Sequence, residues 1–431
     1  MKVKISDIKQ KFPFFLICIG LLFMPSTIRT SVLHSEWALI NVASWLGIIL
    51  LTKRYYNGGK VSVSKNGKLG VANPIWIVLL VALFAMESLM LPEFTATSEV
   101  KYIYATILPI YILFSVVDDD DIICYTKLFS RLLTVASTIV VICGLMDMFL
   151  GVGIGNNIAI FTNAASLIES IRQGRMVSYF GHPLLTTEIM ILTFSFNTLV
   201  NYYIEKKSIF YTVYYSLISV IGIGMCGGKT GLVLIAIEFA LLYVNKKGLK
   251  YFIIIAAAVY WAYGYGLLDT VIGRFIAGFE SGDITTGRNT ALLRVIQGGM
   301  LRFNLLIGHA GINLSERMIA ALEYPPLRWA YLFGVWFSVL MCVVLFVIPA
   351  IKILKNKNFK IFIVFIILVL DVNSYNGITT QSDQMLLYCV SVFLLLNLSY
   401  LLGGNENEDM RSGTKSLHAR RNPTCCDYNF K

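Results

Sequence analysis

The sequence contains a series of apolar runs of about 20 residues, the length that an α-helix needs to cross the roughly 30 Å hydrocarbon core of a bilayer. Charged residues make up only 14% of the 431 positions, and hydrophobic residues make up 57%. Short segments of alternating polar and apolar residues, which are typical of membrane β-barrels, do not occur. The sequence therefore predicts an all-α polytopic integral membrane protein.

The apolar runs predict about 12 transmembrane helices. Helices one to nine fall within residues 1–268 and helices ten to twelve within residues 326–402; the expected bounds are 12–30, 33–52, 73–91, 101–117, 127–150, 183–204, 208–226, 229–245, 250–268, 326–350, 359–375 and 382–402. Residues 269–325 form the longest polar interval but are too apolar for disorder, so we expect a large, partly helical extracytoplasmic loop that caps a membrane site. Residues 403–431 are polar and aperiodic, which predicts a disordered cytoplasmic tail.

The basic residues predict the orientation. With this helix assignment one side carries 20 lysines and 5 arginines, whereas the other carries 2 lysines and 9 arginines. Because cytoplasmic loops are enriched in positive charge, the lysine-rich side with both termini is expected in the cytoplasm. The net charge of +11 then belongs mostly to an inner membrane surface, and no nucleic-acid partner is expected.

The outer side is selectively rich in arginine. The 269–325 interval has no lysine but five arginines, which are Arg274, Arg288, Arg294, Arg302 and Arg317, and Arg172 and Arg175 precede the sixth predicted helix. A guanidinium binds phosphate or carboxylate with two parallel hydrogen bonds, which a lysine ammonium cannot do. This pattern favours an anion-binding site. The alternative is that the arginines pair with loop carboxylates, which are Asp269, Glu280, Asp283, Glu316 and Glu323.

Lys229 lies in the short glycine-rich connection Met225–Gly231 between the seventh and eighth predicted helices. A charge at membrane depth is costly and marks a functional candidate, although it could instead anchor the hairpin at the interface. The four histidines are scattered and most of the eight cysteines lie in apolar runs. No metal site and no cofactor are therefore expected.

Several motifs occur in a fixed order around the large loop. They are Arg175–Pro183, Gly228–Gly231, Thr286–Arg288, Gly308–Gly311 and a glycine at 334. Together, over roughly residues 173–344, they resemble the O-antigen polymerase and O-antigen ligase family, membrane enzymes that join undecaprenyl-linked sugar repeats. This sequence departs from the family pattern at Lys229, where arginine is usual, and at Glu323–Pro326, where the ligases have a histidine-containing pair.

The resemblance implies a polymerase that joins undecaprenyl-pyrophosphate-linked oligosaccharides into O-antigen, capsule or exopolysaccharide on the outer side of the bacterial plasma membrane. It implies a metal-independent glycosyltransferase without a cofactor. The expected partners are the lipid-linked oligosaccharides and membrane lipid, with a chain-length regulator and a flippase as further candidates. Two alternatives remain: an O-antigen ligase, which the missing histidine pair disfavours, and a flippase or transporter, which the dissimilar halves disfavour.

The resemblance and the residue chemistry together assign roles. Arg175, Lys229 and Arg288 are expected to stabilise the leaving pyrophosphate. His309, flanked by two glycines, is the first candidate for a general base and completes the catalytic set, although it could simply cap a turn. The expected substrate-binding residues are Arg172, His182, Glu323 and Arg294; His182 precedes Pro183 and could instead orient the helix start.

Overall fold

In the computed structural model, the described residues are 5–56, 73–90, 100–115, 117–162, 165–243, 256–257, 259–260, 262–282, 287–309, 316–375, 377–379 and 383–412. Within these ranges every element is helical and no strand occurs. The fold class predicted from the apolar runs is therefore confirmed at the level of an all-helical protein.

The first half of the chain forms eleven described α-helices, which are α1 (Ile5–Phe23), α2 (Ser26–Leu33), α3 (Val42–Tyr56), α4 (Asn73–Met90), α5 (Ile110–Leu113), α6 (Asp119–Leu150), α7 (Ile154–Thr162), α8 (Ala165–Arg172), α9 (Pro183–Leu199), α10 (Ile209–Cys226) and α11 (Lys229–Tyr243). The second half forms α12 (Asp269–Glu280), α13 (Arg288–Gln297), α14 (Glu316–Ala321), α15 (Pro325–Phe333), α16 (Val335–Cys342), α17 (Ile348–Lys355), α18 (Phe359–Asn373) and α19 (Gln384–Ser412). Short π-helical turns, Val200–Ile204 and Val343–Val347, extend α9 and join α16 to α17.

Five described helices are long and apolar enough to cross a membrane, as expected of a membrane protein. They are Asp119–Leu150, Pro183–Ile204, Ile209–Cys226, Val335–Lys355 and Gln384–Gly403. The bent pair formed by α1 and α2 would make a sixth. The predicted number of 12 is not confirmed, because α3, α11 and α18 have 15 described residues each and rise only about 22 Å. Of the predicted helix 250–268, residues 250–255, 258 and 261 lie outside the described residues.

Two predicted helices are broken at identifiable residues. The run 12–30 was expected to be one helix, but α1 and α2 meet at an angle of 77° beside Pro25, which cannot donate a main-chain hydrogen bond. The run 326–350 is interrupted at Gly334, where φ is 85° and ψ is 157°, a conformation that is essentially restricted to glycine. Both breaks lie close to the polar loop segments of the chain.

Two other predicted boundaries are wrong in position. The helix expected at 127–150 already begins at Asp119, because the acidic residues of its first turn are favourable at a helix N-terminus. The tail expected to be disordered from residue 403 continues α19 to Ser412, since its glutamate and methionine residues are good helix formers. The rest of that tail, 413–431, lies outside the described residues.

Helix α9 is the centre of the molecule. Almost all of its residues are buried, and it packs against α6, α10, α11 and α18. Buried hydroxyl and amide groups join it to its neighbours. The hydroxyl groups of Ser137 and Thr193 share a hydrogen bond of 2.7 Å, and Ser130 donates to Asn197 at 2.8 Å. Such interhelical hydrogen bonds are a main source of helix association in membranes.

The interval 269–325 is partly helical, as predicted, and contains α12, α13 and α14. Val295, Met318 and Leu322 form a small hydrophobic cluster of their own with Tyr331 of α15. The extended segment 304–309 runs beside the Gly334 break, where the Val335 and Trp336 amides donate to it at 3.0 and 3.1 Å. The segment is thereby packed against the helices.

Candidate functional site

The turn between α10 and α11 organises the site. Gly227 ends α10 with φ at 66°, a left-handed conformation, and its amide donates to Gly224 at 3.0 Å. The Gly228 amide donates to Ile223 at 3.1 Å, and α11 begins directly afterwards. Lys229 is therefore the first residue of α11 and is only 8% exposed.

Two arginines are attached to the C-terminal end of α10. Arg175 donates through Nε to the Cys226 carbonyl at 2.8 Å, and Arg274 of α12 donates to the Gly227 carbonyl. The carbonyl groups at a helix C-terminus carry partial negative charge, which favours cations there. The arrangement fixes two guanidinium groups at the turn that leads to Lys229.

A third guanidinium comes from the loop side. Arg288 is the first residue of α13, donates to the Ser374 carbonyl and forms an ion pair with Glu323. A cation at a helix N-terminus is unfavourable for the helix itself, so the stability of α13 does not explain this arginine. Its contacts instead join α13 to the end of α18.

Lys229, Arg274 and Arg288 line one cavity of about 210 Å³, together with Leu184, Thr187, Gly228, Thr230, Gly231, Tyr324, Asp371, Ser374 and Tyr375. A cavity of this volume holds on the order of ten water molecules. Its wall includes the N-terminal turn of α11, where helix amides are not used within the helix and anions are favoured. We call Lys229, Arg274 and Arg288 the cationic part of the lining.

The arginines around the cavity repel one another. Burial, followed by the charges of Arg274 and Arg288, lowers the pKa of Arg175 to about 10, and burial together with Arg288 lowers the pKa of Arg274. Both groups remain charged near neutral pH. Within the described part of the chain neither forms an ion pair, and Nη2 of Arg175 is buried without a hydrogen-bond partner. This excess of positive charge is suited to a polyanionic ligand.

His182 lies close to the same charges but has a local structural contact. Its Nδ1 accepts a hydrogen bond from the Leu184 amide at 3.2 Å, which caps the N-terminus of α9. Burial and the charges of Arg175 and Arg288 lower the pKa of His182 to about 4, so it is neutral near neutral pH. The alternative that His182 orients this helix start agrees with the geometry.

The lining also includes an acidic residue, Asp371. Asp371, at the end of α18, lines the cavity, whereas Glu188 of α9 is not among the lining residues; they are 2% and 0% exposed. Tyr375 donates to the Glu188 carboxylate, and Gln384 donates to the Tyr375 hydroxyl at 3.1 Å. We call Asp371 and Glu188 the acidic part of the site.

The other predicted site residues lie outside the cavity lining. Arg172 is exposed, with 74% of its side chain accessible, and approaches Glu169 at 3.8 Å. Arg294 is exposed on α13. His309 packs on the Tyr331 ring at 4.6 Å between ring centres, and its Nε2 is 3.1 Å from the Arg302 carbonyl oxygen.

The sequence analysis missed Arg274, Glu188 and Tyr375 as members of the site. Arg274 has no local feature that distinguishes it from the other loop arginines, because its partner is a carbonyl about 50 positions earlier in the chain. Glu188, by contrast, is an ionisable residue inside an apolar run, which is a signal of function in a membrane protein. No group of three or more potential metal ligands occurs among the residues that the structure describes.

Comparisons with models of protein families, with curated proteins and with solved structures found no match for this chain.

Proposed function

We propose that this protein is a glycan polymerase that joins undecaprenyl-pyrophosphate-linked oligosaccharide repeat units on the outer side of a bacterial plasma membrane. The observation that carries the proposal is the convergence of Lys229, Arg274 and Arg288 on one cavity, with Arg175 beside it. Glu323 is the only carboxylate within the described residues that forms an ion pair with any of these three arginines.

The chemistry of such a reaction matches this charge distribution. The donor sugar already carries a pyrophosphate leaving group, so no nucleotide has to be consumed. The remaining tasks are to orient the two lipid-linked substrates and to stabilise negative charge on the departing pyrophosphate. Guanidinium and ammonium groups that are fixed by the main chain can do the second task without a metal ion.

The motif resemblance supports the same assignment. Arg175, Lys229 and Arg288 belong to three different motifs that are far apart in the sequence, and all three contribute to the charge at one cavity. Residues with unrelated structural roles would have no reason to converge in this way. The family membership, the outer location of the cavity and the cytoplasmic termini are parts of this proposal.

A reconstituted reaction tests it. The purified full chain in detergent, supplied only with a lipid-linked repeat unit, is expected to produce a ladder of longer lipid-linked glycans and free polyprenyl pyrophosphate. The ladder should form without nucleotide and in the presence of a chelator. A ladder that is lost on chelation would contradict the metal-independent chemistry.

The same assay separates the alternatives. A ligase would transfer glycan only after a separate acceptor is added, and it would form no ladder from the repeat unit alone. A flippase would change only the sidedness of the lipid-linked unit in vesicles. Either result would overturn the polymerase proposal.

A further inference from the structure

Asp371 and Glu188, the acidic part of the site, have buried oxygens that the cationic part of the lining does not account for. Oδ2 of Asp371 and Oε1 of Glu188 are buried, and neither has a hydrogen-bond partner among the described residues. Buried polar groups in native proteins are almost always hydrogen-bonded, so unsatisfied ones call for a specific reason. Asp371 is one of the residues that line the cavity, so its carboxyl group belongs to the wall beside which a ligand would lie.

The two carboxyl groups also act on each other. Helices α9 and α18 pack against each other, and Tyr375, four positions after Asp371, donates to Glu188, so the two carboxyl groups lie close enough to repel each other. Within the ranges that the structure describes, neither forms an ion pair. Two adjacent buried carboxylates cannot both keep their charge at low cost, so such pairs hold one proton between them. Tyr375 donates to the other Glu188 oxygen and keeps this carboxyl group in place.

We propose that the Glu188–Asp371 pair is the proton acceptor for the attacking sugar hydroxyl, with Asp371 as the catalytic residue and Glu188 as its positioning residue. This inference rests on the proposed polymerase function. It replaces the expected base His309, which lies outside the cavity lining and contacts the Arg302 carbonyl and Tyr331.

The step balances in atoms and electrons. The hydroxyl oxygen of the acceptor sugar forms a bond to the anomeric carbon of the donor. The bond from that carbon to the pyrophosphate oxygen breaks, and its electron pair stays on the pyrophosphate, next to Lys229, Arg274 and Arg288. The hydroxyl proton passes to the carboxylate of the pair and then to water in the cavity.

The pH dependence follows from the same groups. The pair must carry one negative charge to accept a proton, so the rate falls at low pH when the pair becomes fully protonated. The other titratable or charged groups that line the cavity are Lys229, Arg274, Arg288, Tyr324 and Tyr375, and the cations among them favour the charged state of the pair. The expected profile therefore has one acidic limb.

The test uses the purified full chain and the lipid-linked repeat unit, with initial rates measured from about pH 5 to about pH 9. Asp371→Asn is expected to lower kcat by about 100-fold or more and to remove the acidic limb, while KM for the donor changes by less than about threefold. In Glu188→Gln, Asp371 no longer has a second carboxylate beside it, so it keeps its negative charge down to a lower pH. The acidic limb should therefore move to lower pH. If Asp371→Asn does not fold, the shift of the acidic limb in Glu188→Gln tests the inference instead.

Glu238→Gln is the matched control. Glu238 is likewise fully buried in a helix, accepts a hydrogen bond from Ser195 at 2.8 Å and lies outside the cavity lining. Its kcat and pH profile are expected to be those of the wild type. A change equal to that of Asp371→Asn would show a general effect of removing a buried carboxyl group and would overturn the inference.

Other outcomes also decide it. Asp371→Asn with a wild-type kcat and acidic limb would overturn the inference while leaving the polymerase proposal intact. A loss of donor binding in Asp371→Asn, with kcat unchanged, would assign the residue to holding the donor and would also overturn it. A wild-type protein that makes no ladder would overturn the proposed function, and this step with it.

Discussion

The cationic part of the cavity lining and the acidic part of the site are held in different ways. Arg274 and Arg288 come from helices α12 and α13 and donate to main-chain carbonyl groups. Asp371 and Glu188 belong to α18 and α9, are almost completely buried, and each keep one oxygen without a hydrogen bond in the described part of the chain.

This difference indicates different tasks. A guanidinium that is fixed by one or two carbonyl groups keeps its charge and has further N–H groups for a ligand. A buried carboxyl oxygen without a partner costs about 1–3 kcal/mol, which is a reason to expect a function for it. We therefore assign donor binding and charge stabilisation to the cationic part, and proton transfer to the acidic part.

In the proposed orientation, a substrate reaches the cationic part from outside the cell. Ser281 is exposed directly after α12, the helix that carries Arg274. Cysteine at Ser281 should be labelled by an impermeant thiol reagent in intact cells, because its helix is expected on the outer side. The parent chain without this cysteine is the control. Labelling only after lysis would reverse the orientation and would contradict the proposed outer site.

Removing a guanidinium from the cationic part should have the largest effect on catalysis. Arg288→Ala is expected to lower the polymerisation rate by about 100- to 1000-fold, which is the usual loss when a preorganised charge-stabilising donor is removed. Arg288→Lys should restore little, because the planar fork is lost. Arg175→Ala is likewise expected to abolish long-chain product, since its buried guanidinium adds to the same charge. The measurement is the length distribution and initial rate of ladder formation.

Arg302→Ala is the control for these variants. Arg302 is an exposed arginine of the same interval, 269–325, and its side chain does not line the cavity. Its rate should stay within about twofold of the wild type, as is usual for surface positions. An equal loss in Arg302→Ala, or a normal ladder in Arg288→Ala, would show that lining the cavity does not distinguish Arg288 from the other arginines of the interval.

A smaller effect of opposite sign is expected at Glu323, the ion-pair partner of Arg288. Glu323→Gln removes the carboxylate that a phosphate would have to displace. The affinity for polyprenyl pyrophosphate should rise about two- to fivefold, the value of a partly exposed ion pair. Glu280→Gln, an exposed carboxylate at the end of α12, should leave the affinity unchanged. A weaker affinity in Glu323→Gln would assign Glu323 to the substrate instead of to Arg288.

The smallest change is expected for Lys229→Arg. The substitution keeps the charge at the first turn of α11 and adds a fork for phosphate. The rate should stay within about threefold of the wild type, measured by ladder formation. A rate as low as that of Arg288→Ala would mean that the closely packed site, with Lys229 only 8% exposed, does not accept the larger group.

The sequence predicts those features that depend on local composition. Apolar runs predict helices, and Lys229 and Arg288 stand out because each follows a glycine in a polar segment. The breaks at Pro25 and Gly334 have local causes, but a long apolar run conceals them. The acidic residues that begin α6 carried a usable signal as well, because a helix N-terminus favours negative charge.

The features of the site that the sequence could not predict depend on tertiary contacts. Arg274 and Arg294 both lie on amphipathic loop helices, and only the first meets the carbonyl at the end of α10. Asp371 and Glu188 are about 180 positions apart in the sequence, so nothing local indicates that they approach each other at one cavity. His309 was favoured by its flanking glycines, whereas the structure places it against Tyr331.

The most direct measurement of the central claim is equilibrium binding of a short polyprenyl pyrophosphate to the purified full chain. We predict saturable binding that weakens by at least about tenfold in Arg288→Ala and in Lys229→Met, remains unchanged in Arg302→Ala, and weakens with added salt. The corresponding polyprenyl alcohol should bind at least about tenfold more weakly than the pyrophosphate. Equal binding of alcohol and pyrophosphate, or binding that neither cavity variant alters, would contradict the assignment of this cavity to a pyrophosphate.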